Sequence, residues 1–371
     1  MGSSMDSLMG RDKGGGGLKP TNRVTSFDVA RRAGVSRSVV SAVLNGTPGI
    51  GVSAETREAV LEAIRELGYE VNAQARGMRT GVSHCIAVCG STTNPLFLQA
   101  LEGIQQACVK LGYHVLIYGE ETKAAGGRGG LLNLYRQRRI DGILTLDSAG
   151  RDDEEWAEAT REAAVPYLSI EGYPEQEAVP SVNVDYRASV LEAFDWMKSR
   201  GASLPDYLLF WSAPGEEEWA ERERREAYLG AMKEFGGEPI VVTIREGDEA
   251  AIVRYWDDRL QRGGGMPALL VNWSTGLHGL LREADRRGLR AGRDFRLMAL
   301  DNTLRINRQL LPSIACMEIP YAEMGRNAAE RLIAMLTSRP GSRAEWPDPA
   351  AGERSGVKAL FRAELFAGES V

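Results

Sequence analysis

The chain has 371 residues, a formal net charge of −6 and a mean hydropathy of −0.27. A hydrophobic fraction of 43% is enough for sizeable cores and argues against wholesale disorder, and the length predicts two or three domains. The sequence contains no apolar run as long as a membrane span and no signal-peptide pattern, and four cysteines are too few for a disulfide framework. We therefore expect a cytoplasmic, globular protein.

The charge is distributed unevenly along the chain. Residues 1–80 hold 11 Lys and Arg against 8 Asp and Glu, a balance of +3, and the remaining residues have a balance of −9. Between residues 23 and 50, four arginines are accompanied by one acid, Asp28. A small basic module on a large acidic body is typical of a protein that binds phosphates locally. Chance clustering of surface charge is the alternative.

The N-terminal segment predicts three short helices after a tail. Residues 1–22 are polar and rich in glycine, which indicates a flexible tail. The first helix is expected to end at Gly34, because glycine readily adopts a positive φ, and Ser36 is placed to cap the second. Ser53 and Gly68 are expected to bound the third helix.

The first two helices have the spacing of a helix-turn-helix. Four apolar side chains at helical spacing form the buried face of the second helix: Val39, Val40, Val43 and Leu44. Its outward face then carries small or basic side chains that can enter a DNA major groove: Arg37, Ser38, Ser41 and Ala42. The segment therefore predicts DNA binding, and a helical hairpin that only decorates the rest of the chain is the alternative.

From residue 84 onward, short apolar runs alternate with amphipathic stretches, which is typical of βαβ units with a parallel sheet. Eight or more alternations in about 290 residues are too many for one open sheet, so we predict an α/β fold with two Rossmann-like lobes. Ligands bind at the carboxyl ends of such strands.

Sequence signals for catalysis are weak. The chain contains no GxSxG elbow, no GxxxxGK[ST] loop and no HExxH motif. Cys85 and Cys89 lie on a predicted strand, and their spacing alone makes a poor metal site. We therefore expect no catalytic residue, no metal site and no cofactor, and we predict that the protein is not an enzyme.

A dense set of short motifs runs through the helical segment: Val24-Thr25, Asp28-Val29-Ala30, Ala33-Gly34-Val35-Ser36, Val40-Ser41, Leu44-Asn45-Gly46, Val52-Ser53, Thr56-Arg57 and Leu67-Gly68-Tyr69. Together they resemble the lactose-repressor/galactose-repressor (LacI/GalR) family of bacterial transcription regulators. The resemblance extends to the C-terminus of the chain, where it is looser.

The resemblance implies roles for individual residues in DNA binding. Residues 23–70 would form the DNA-binding domain. Its base readers would be Arg37 and Ser38, with Ser26, Ser41 and Ala42 beside them, and its phosphate contacts would be Thr25, Ser36 and Asn45. Residues 71–82 would form a hinge helix that folds on DNA, with contacts from Asn72, Ala75 and the wedge Met78. An ordinary linker is the alternative.

Residues 83–371 resemble the family's core, which is similar to periplasmic sugar-binding proteins. The resemblance implies two lobes, one of about 83–181 and 309–339 and the other of about 182–308 and 340–371. Crossovers are expected near Ser181, at 305–311 and at 339–341. Seven residues are expected to bind an effector in the cleft: Phe97, Asp147, Glu171, Arg224, Asn272, Trp273 and Asp301.

Each of these residues also has a structural interpretation. Asp301 or Glu171 could cap a helix, and Arg224 could pair with Glu221 or Glu223. Trp273 stands where the family commonly has Asp, which suits a bulkier or more apolar effector than a simple monosaccharide.

The function implied is a repressor that binds double-stranded, pseudo-palindromic operator DNA as a homodimer, in the cytoplasm at the nucleoid, with no membrane contact. A carbohydrate is the expected effector, and a purine or another small metabolite is the alternative. A solute-binding protein without a role on DNA and a sugar or nucleotide enzyme are the competing functions.

Overall fold

A computed structural model describes residues 24–45, 51–70, 81–119, 128–151, 153–211, 218–262, 266, 268–337 and 358–371. The chain divides into two compact units, Met1–Arg79 and Thr80–Val371. The predicted tail and the hinge residues Asn72, Ala75 and Met78 lie outside the described residues, as does the side chain of Asn45. Within the described part of the chain, no helix is both long and apolar enough to cross a membrane.

The smaller unit contains three helices, α1 (Ser26–Ala33), α2 (Arg37–Asn45) and α3 (Ala54–Leu67). The predicted end signals are confirmed, since Gly34 and Gly68 adopt φ of +68° and +58° and the Ser53 hydroxyl accepts a hydrogen bond from the Thr56 amide at 3.2 Å. A reciprocal capping box also fixes the start of α1, because the Thr25 amide donates to the Asp28 carboxylate at 3.0 Å.

A small apolar core holds the three helices together. Val29, Val40 and Val60 are fully buried, one from each helix. An exposed ion pair between Arg32 and Glu66, 2.6 Å apart, also links α1 to α3. The core is sufficient to fix the relative orientation of the helices, and it leaves their polar faces to solvent.

The larger unit alternates strands and helices as the sequence predicts. Its elements in chain order are β1 (Cys85–Gly90), α4 (Pro95–Leu111), β2 (His114–Gly119), α5 (Gly129–Arg136), β3 (Gly142–Arg151), α6 (Glu154–Glu162), β4 (Tyr167–Gly172), β5 (Ser181–Val184), α7 (Tyr186–Ser199), β6 (Pro205–Trp211), α8 (Trp219–Glu234), β7 (Val241–Arg245), α9 (Glu249–Gln261), β8 (Ala268–Val271), α10 (Leu277–Arg286), β9 (Leu297–Ala299), β10 (Ala315–Glu318), α11 (Tyr321–Thr337), β11 (Lys358–Phe361) and β12 (Glu364–Phe366).

These strands form two six-stranded sheets, which confirms the predicted α/β fold with two lobes. The first sheet has the order β11-β5-β4-β3-β1-β2, and the second has the order β12-β10-β9-β8-β6-β7. The pairing is parallel except between β10 and β12, which run antiparallel. In this topology β3 and β4 carry Asp147 and Glu171, and the carboxyl ends of β8 and β9 are followed by Asn272, Trp273 and Asp301. The other two residues predicted to bind an effector, Phe97 and Arg224, lie on helices α4 and α8.

The chain crosses between the sheets at three places: between β5 and α7, between β10 and α11, and between β11 and β12. The first crossover lies a few residues after the predicted Ser181, because β5 itself belongs to the first sheet. The predicted crossovers at 305–311 and 339–341 are wrong. β10 pairs with β9 in the second sheet, and β11 pairs with β5 in the first. The partners β5 and β11 are distant in sequence, so local patterns do not reveal their pairing.

Helices α4 and α11 cross closely in the first lobe at two glycines. A Cβ atom on Gly103 would overlap the carbonyl oxygen of Ala322, and a Cβ atom on Gly325 would overlap the carbonyl oxygen of Ala100. The overlap would be with backbone atoms, which cannot rotate away. The two glycines therefore permit a backbone contact that no larger residue allows.

We expect Gly325→Ala to lower the free energy of unfolding by about 1–3 kcal/mol, because the added methyl group forces α4 and α11 apart. Gly230→Ala is the matched control. Gly230 lies on exposed helix α8 with open space around it, so alanine there should stabilise the protein by up to ~1 kcal/mol. Urea denaturation of both variants measures the difference. Equal effects of the same sign would contradict the close contact.

Candidate functional site

The surface of α2 carries the side chains predicted to read DNA. Ser36, Arg37 and Ser38 are exposed, whereas Val40 and Val43 on the opposite face are buried. Arg31 pairs with Asp28 at 3.1 Å, but Arg37 has no acidic partner among the described residues. An exposed guanidinium that no described acidic residue pairs with is available for a base edge or a phosphate.

The other predicted DNA contacts vary in exposure. Thr25 is exposed, and its hydroxyl donates to Asp28 at 2.7 Å within the capping box. Ser26 and Ser41 are half-buried. The prediction that Ala42 lies on the outward face is wrong, since it is only 4% exposed. Ala42 lies one turn after Val39, at the border of the apolar face, and a methyl group there is too short to extend past its neighbours.

Of the seven predicted effector residues in the larger unit, Glu171, Arg224 and Trp273 are brought together at the junction of the two lobes. Six of the seven are buried, and Trp273 is half-buried. Phe97 is completely buried against Gly90, where a Cβ atom would overlap its ring. Phe97 therefore packs in the core of the first lobe and presents no open face for a sugar ring.

A group of five residues, here called the cleft cluster, joins the lobes: Glu171, Tyr186, Arg224, Trp273 and Tyr321. Its guanidinium lies between two aromatic rings, with the Arg224 Cζ atom 4.3 Å from the centre of the Tyr186 ring and 4.0 Å from that of Trp273. Such stacking is favourable for a planar cation and fixes the plane of its hydrogen-bond donors.

Arg224 uses only part of its hydrogen-bonding capacity. Its Nη1 donates to the Glu221 carboxylate at 3.0 Å, which confirms the pairing that the sequence left open. Its Nε and Nη2, which share one edge of the guanidinium, have no partner among the described residues. Burial opposes the charged form, but Glu221 and nearby groups outweigh it, so the pKa of Arg224 is raised. The free edge is therefore a buried, charged fork for two acceptor atoms.

Glu171 joins the two lobes through one oxygen. Its Oε2 accepts hydrogen bonds from the Tyr186 hydroxyl at 2.5 Å and from the Tyr321 hydroxyl at 3.1 Å. Its Oε1 is buried and has no partner among the described residues. Burial raises the pKa of Glu171, although the two tyrosines and Arg224 oppose that shift. The backbone at Glu171 has a φ of +62°, which is uncommon for a residue with a side chain.

Two of the predicted effector residues are occupied by their own strands and loops. Asn272 accepts from the Phe210 amide at 2.7 Å and donates to the Phe210 carbonyl at 2.8 Å, so it ties β8 to β6. Asp301 accepts from the Thr303 amide at 2.7 Å and from the Ser274 amide and hydroxyl at the start of a short 3-10 helix. The helix-capping alternative for Asp301 is thus confirmed.

Asp147 is the centre of a separate buried network in the first lobe. Its Oδ2 accepts from the hydroxyls of Thr145 at 2.7 Å and Ser169 at 2.6 Å, and its Oδ1 pairs with Arg128. The Thr145 and Tyr167 hydroxyls are 2.9 Å apart. The network satisfies the carboxylate internally and fixes the ends of β3 and β4.

Sequence reasoning missed Tyr186, Tyr321 and Arg128 as members of these networks. Both tyrosines stand at the first position of a helix directly after a crossover, which is visible only once the strands have been assigned. Thr145 and Ser169 did leave a signal, since each is a hydroxyl residue flanked on both sides by apolar residues in its strand. A buried polar residue in such a run requires a partner.

Comparison with known families assigns both units. The family described as "Bacterial regulatory proteins, lacI family" matches residues 27–72. "Periplasmic binding proteins and sugar binding domain of LacI family" matches residues 83–252, and "Periplasmic binding protein-like domain" matches residues 207–353. The matches therefore span both the helical unit and the two lobes.

Curated relatives of the chain are transcriptional regulators. Catabolite control protein A of Priestia megaterium is 28% identical over 316 residues, which cover 84% of this chain and 92% of the relative. The HTH-type transcriptional repressor PurR of Erwinia tasmaniensis is 27% identical over 344 residues, which cover 85% and 91%.

Solved structures share the fold. A Lac repressor dimer bound to operator and the anti-inducer ONPF has a TM-score of 0.72 at 22% identity, covering 94% of this chain and 99% of that chain. A complex of the transcriptional regulator CelR with cellobiose has a TM-score of 0.59 at 23% identity, covering 94% and 100%.

Glu171→Gln should change how stability depends on pH. Because burial raises the pKa of Glu171 above its usual 4.5, the folded chain keeps this proton to a higher pH than the unfolded chain. The free energy of unfolding therefore decreases as pH rises from 4.5 through the folded pKa. We expect wild type to lose more stability than the variant between pH 4.5 and about pH 7 in urea denaturation.

The exposed Glu154→Gln serves as the control for removing a carboxyl group from the surface. Parallel stability curves for wild type and Glu171→Gln would show that Glu171 does not hold its proton in this way.

Proposed function

Because the chain belongs to the LacI family of bacterial regulatory proteins, we propose that it is a transcriptional repressor that binds a palindromic operator as a homodimer. A small molecule held between the two lobes controls its affinity for the operator. The DNA-binding part of the proposal rests on Arg37, whose guanidinium is exposed and has no acidic partner among the described residues, on a helix whose opposite face is buried.

The smaller unit with helices α1 to α3, here called the head, binds DNA with α2 in the major groove. Arg37 forms a bidentate contact with a guanine, and Ser38 contacts the neighbouring base. Thr25 and Ser36 stand at the starts of α1 and α2, where backbone amides and the positive ends of the helices favour phosphate. Met78 of the hinge segment wedges between base pairs in the minor groove.

The proposed palindromic operator has two half-sites, which is the reason to propose a dimer. A single head of this size contacts one short half-site, so two heads related by a two-fold axis are needed to reach the affinity of a specific repressor. The Lac repressor dimer bound to operator, which shares the fold, supports this arrangement.

The effector is a carbohydrate, and the cleft cluster supports this class of ligand. Vicinal hydroxyl groups can accept from the Arg224 Nε and Nη2 edge and donate to Oε1 of Glu171, and those three atoms lack partners among the described residues. Glu171, Glu221 and Asp301 are acidic side chains near Arg224, which disfavours an anionic ligand. Both faces of Arg224 are covered by aromatic rings, so a stacked purine is the less suitable alternative.

The competing functions have less support. A solute-binding protein would have no use for a head that presents Arg37 and Ser38 to solvent. An enzyme would need a constellation of acid, base or nucleophile, and the buried carboxylates of Asp147 and Asp301 are instead satisfied by neighbouring hydroxyl and amide groups. The regulators among the relatives agree with a protein that is not an enzyme.

Arg37→Lys should reduce sequence-specific DNA binding while it keeps the charge. Wild type is first used to select duplexes from a randomised library, and we expect enrichment of a palindrome. On that duplex, Arg37→Lys should weaken affinity by about 1–3 kcal/mol and relax preference at one base pair in each half-site.

Arg65→Lys, on exposed α3, is the matched control and should bind like wild type. Failure of wild type to enrich any sequence would exclude the proposed DNA-binding function, and equal affinities of the two variants would exclude Arg37 as a base reader.

Arg224→Lys should abolish the response to the effector. Thermal unfolding is measured with cellobiose, glucose and hypoxanthine, since a ligand that binds the folded state raises the melting temperature. We expect a carbohydrate to raise the melting temperature of wild type and of the control Arg222→Lys, an exposed arginine on the same helix. Arg224→Lys should show no such rise, because a lysine lacks the two-donor edge. Stabilisation by hypoxanthine alone would overturn the carbohydrate assignment.

A further inference from the structure

Glu171 occupies an unusual position relative to the crossovers between the lobes. Tyr186 is the first residue of α7, directly after the first crossover, and Tyr321 is the first residue of α11, directly after the second. Helix α7 packs against α8 and β10 of the second lobe, whereas α11 packs against α4 and the first sheet. One oxygen of Glu171 accepts hydrogen bonds from both tyrosines.

We propose that Glu171, Tyr186 and Tyr321 form a hinge lock, in which one carboxylate oxygen fixes the chain at two of the three crossovers and so holds the lobes in the described arrangement. Glu171 is then a positioning residue for lobe rotation as well as a neighbour of the effector. That rotation regulates DNA binding is the part that rests on the proposed function.

The environment makes these hydrogen bonds strong. Tyr186 and Tyr321 are 1% and 2% exposed, and Glu171 is 4% exposed, so water does not compete for the carboxylate. A buried hydrogen-bond acceptor that loses its donors is costly, because water does not replace them. The positive φ of Glu171 also aims the side chain at a point that an ordinary strand residue would not reach.

The lock is connected to the effector side of the cleft cluster through a shared ring. Tyr186 donates to Glu171 through its hydroxyl, and the face of the same ring lies against Arg224. A ligand that moves the guanidinium of Arg224 therefore also shifts the Tyr186 ring that packs against it. Such a shift changes the hydrogen bond between Tyr186 and Glu171, which links the lobes. Oε1 of Glu171 has no partner among the described residues and is a second hydrogen-bonding group for the ligand.

Other bonds across the lobes are peripheral by comparison. Gln99 donates to the Thr303 carbonyl at 2.9 Å, and Arg222 pairs with Glu175 at 3.1 Å. Arg222 and Glu175 are exposed, and such surface ion pairs contribute little. The lock is buried and placed at the crossovers themselves, where a small change of backbone angle moves a whole lobe.

The test measures the arrangement of the lobes in the full chain, without DNA or effector. Spin labels are placed at Lys110→Cys on α4 and Asp285→Cys on α10, both exposed, in a background with Cys85→Ser. Labelled chain is mixed with excess unlabelled chain so that distances between protomers do not contribute, and the distance distribution is measured by double electron–electron resonance.

We expect wild type to give one narrow distribution. Tyr186→Phe and Glu171→Ala should each populate a second distance, with the equilibrium shifted on the order of tenfold for the loss of one buried hydrogen bond. Tyr321→Phe should shift it in the same direction. Unlike Glu171→Ala, the variant Glu171→Gln should give the same distance distribution as wild type, because the amide oxygen of glutamine still accepts hydrogen bonds from both tyrosines.

Tyr228→Phe is the matched control. Tyr228 is also a buried tyrosine, but it donates to the carbonyls of Pro205 and Ile240 within the second lobe. It should lower stability and leave the distance distribution unchanged. Distributions for Tyr186→Phe and Tyr228→Phe that both equal wild type would overturn the hinge lock. Because neither DNA nor effector is present, that result would leave the DNA-binding proposal intact, and a failure of DNA selection would not affect this measurement.

Discussion

A buried charge needs partners, and that constraint organises the junction between the two lobes. Arg224 and Glu171 are almost entirely excluded from water, and each is satisfied on one side only. Glu221 and two aromatic rings hold the guanidinium, and two tyrosines hold the carboxylate. The unsatisfied sides are the part of the cleft at which a small molecule gains the most from binding, since it replaces missing hydrogen bonds in a place that water reaches poorly.

The two units solve different physical problems. The head has a small core of valines and alanines, and its caps, such as the reciprocal bonds of Thr25 and Asp28, define short helices that the core alone would hold weakly. The lobes have large cores and can bury charged side chains without unfolding.

The sequence was sufficient for the features that depend on local chemistry. Gly34, Ser53 and Gly68 marked helix ends because capping is a property of one or two residues. The alternation of apolar runs predicted two α/β lobes, because the burial of each strand is also visible in a few consecutive residues. Two crossovers were misplaced because local patterns do not show which sheet a strand joins: β10 stays beside β9 in the second sheet, and β11 returns to β5, which is far away in the chain. Among the cleft residues, Asp301 and Asn272 could not be separated from Arg224 by residue type, since all are polar groups and only three-dimensional contacts show which are already satisfied.

The pairing of the last two described strands has a consequence for the order of folding. β5 forms its outer ladder with residues 358–361, and β10 forms its outer ladder with residues 364–366. During synthesis, the strands of the first lobe up to β5 emerge from the ribosome long before β11, so the edge of β5 stays open while the whole second lobe is being made. An open, apolar edge is a site where nascent chains associate wrongly. A single short stretch of chain then closes both sheets within a few residues of each other, which couples the maturation of the two lobes to one late event.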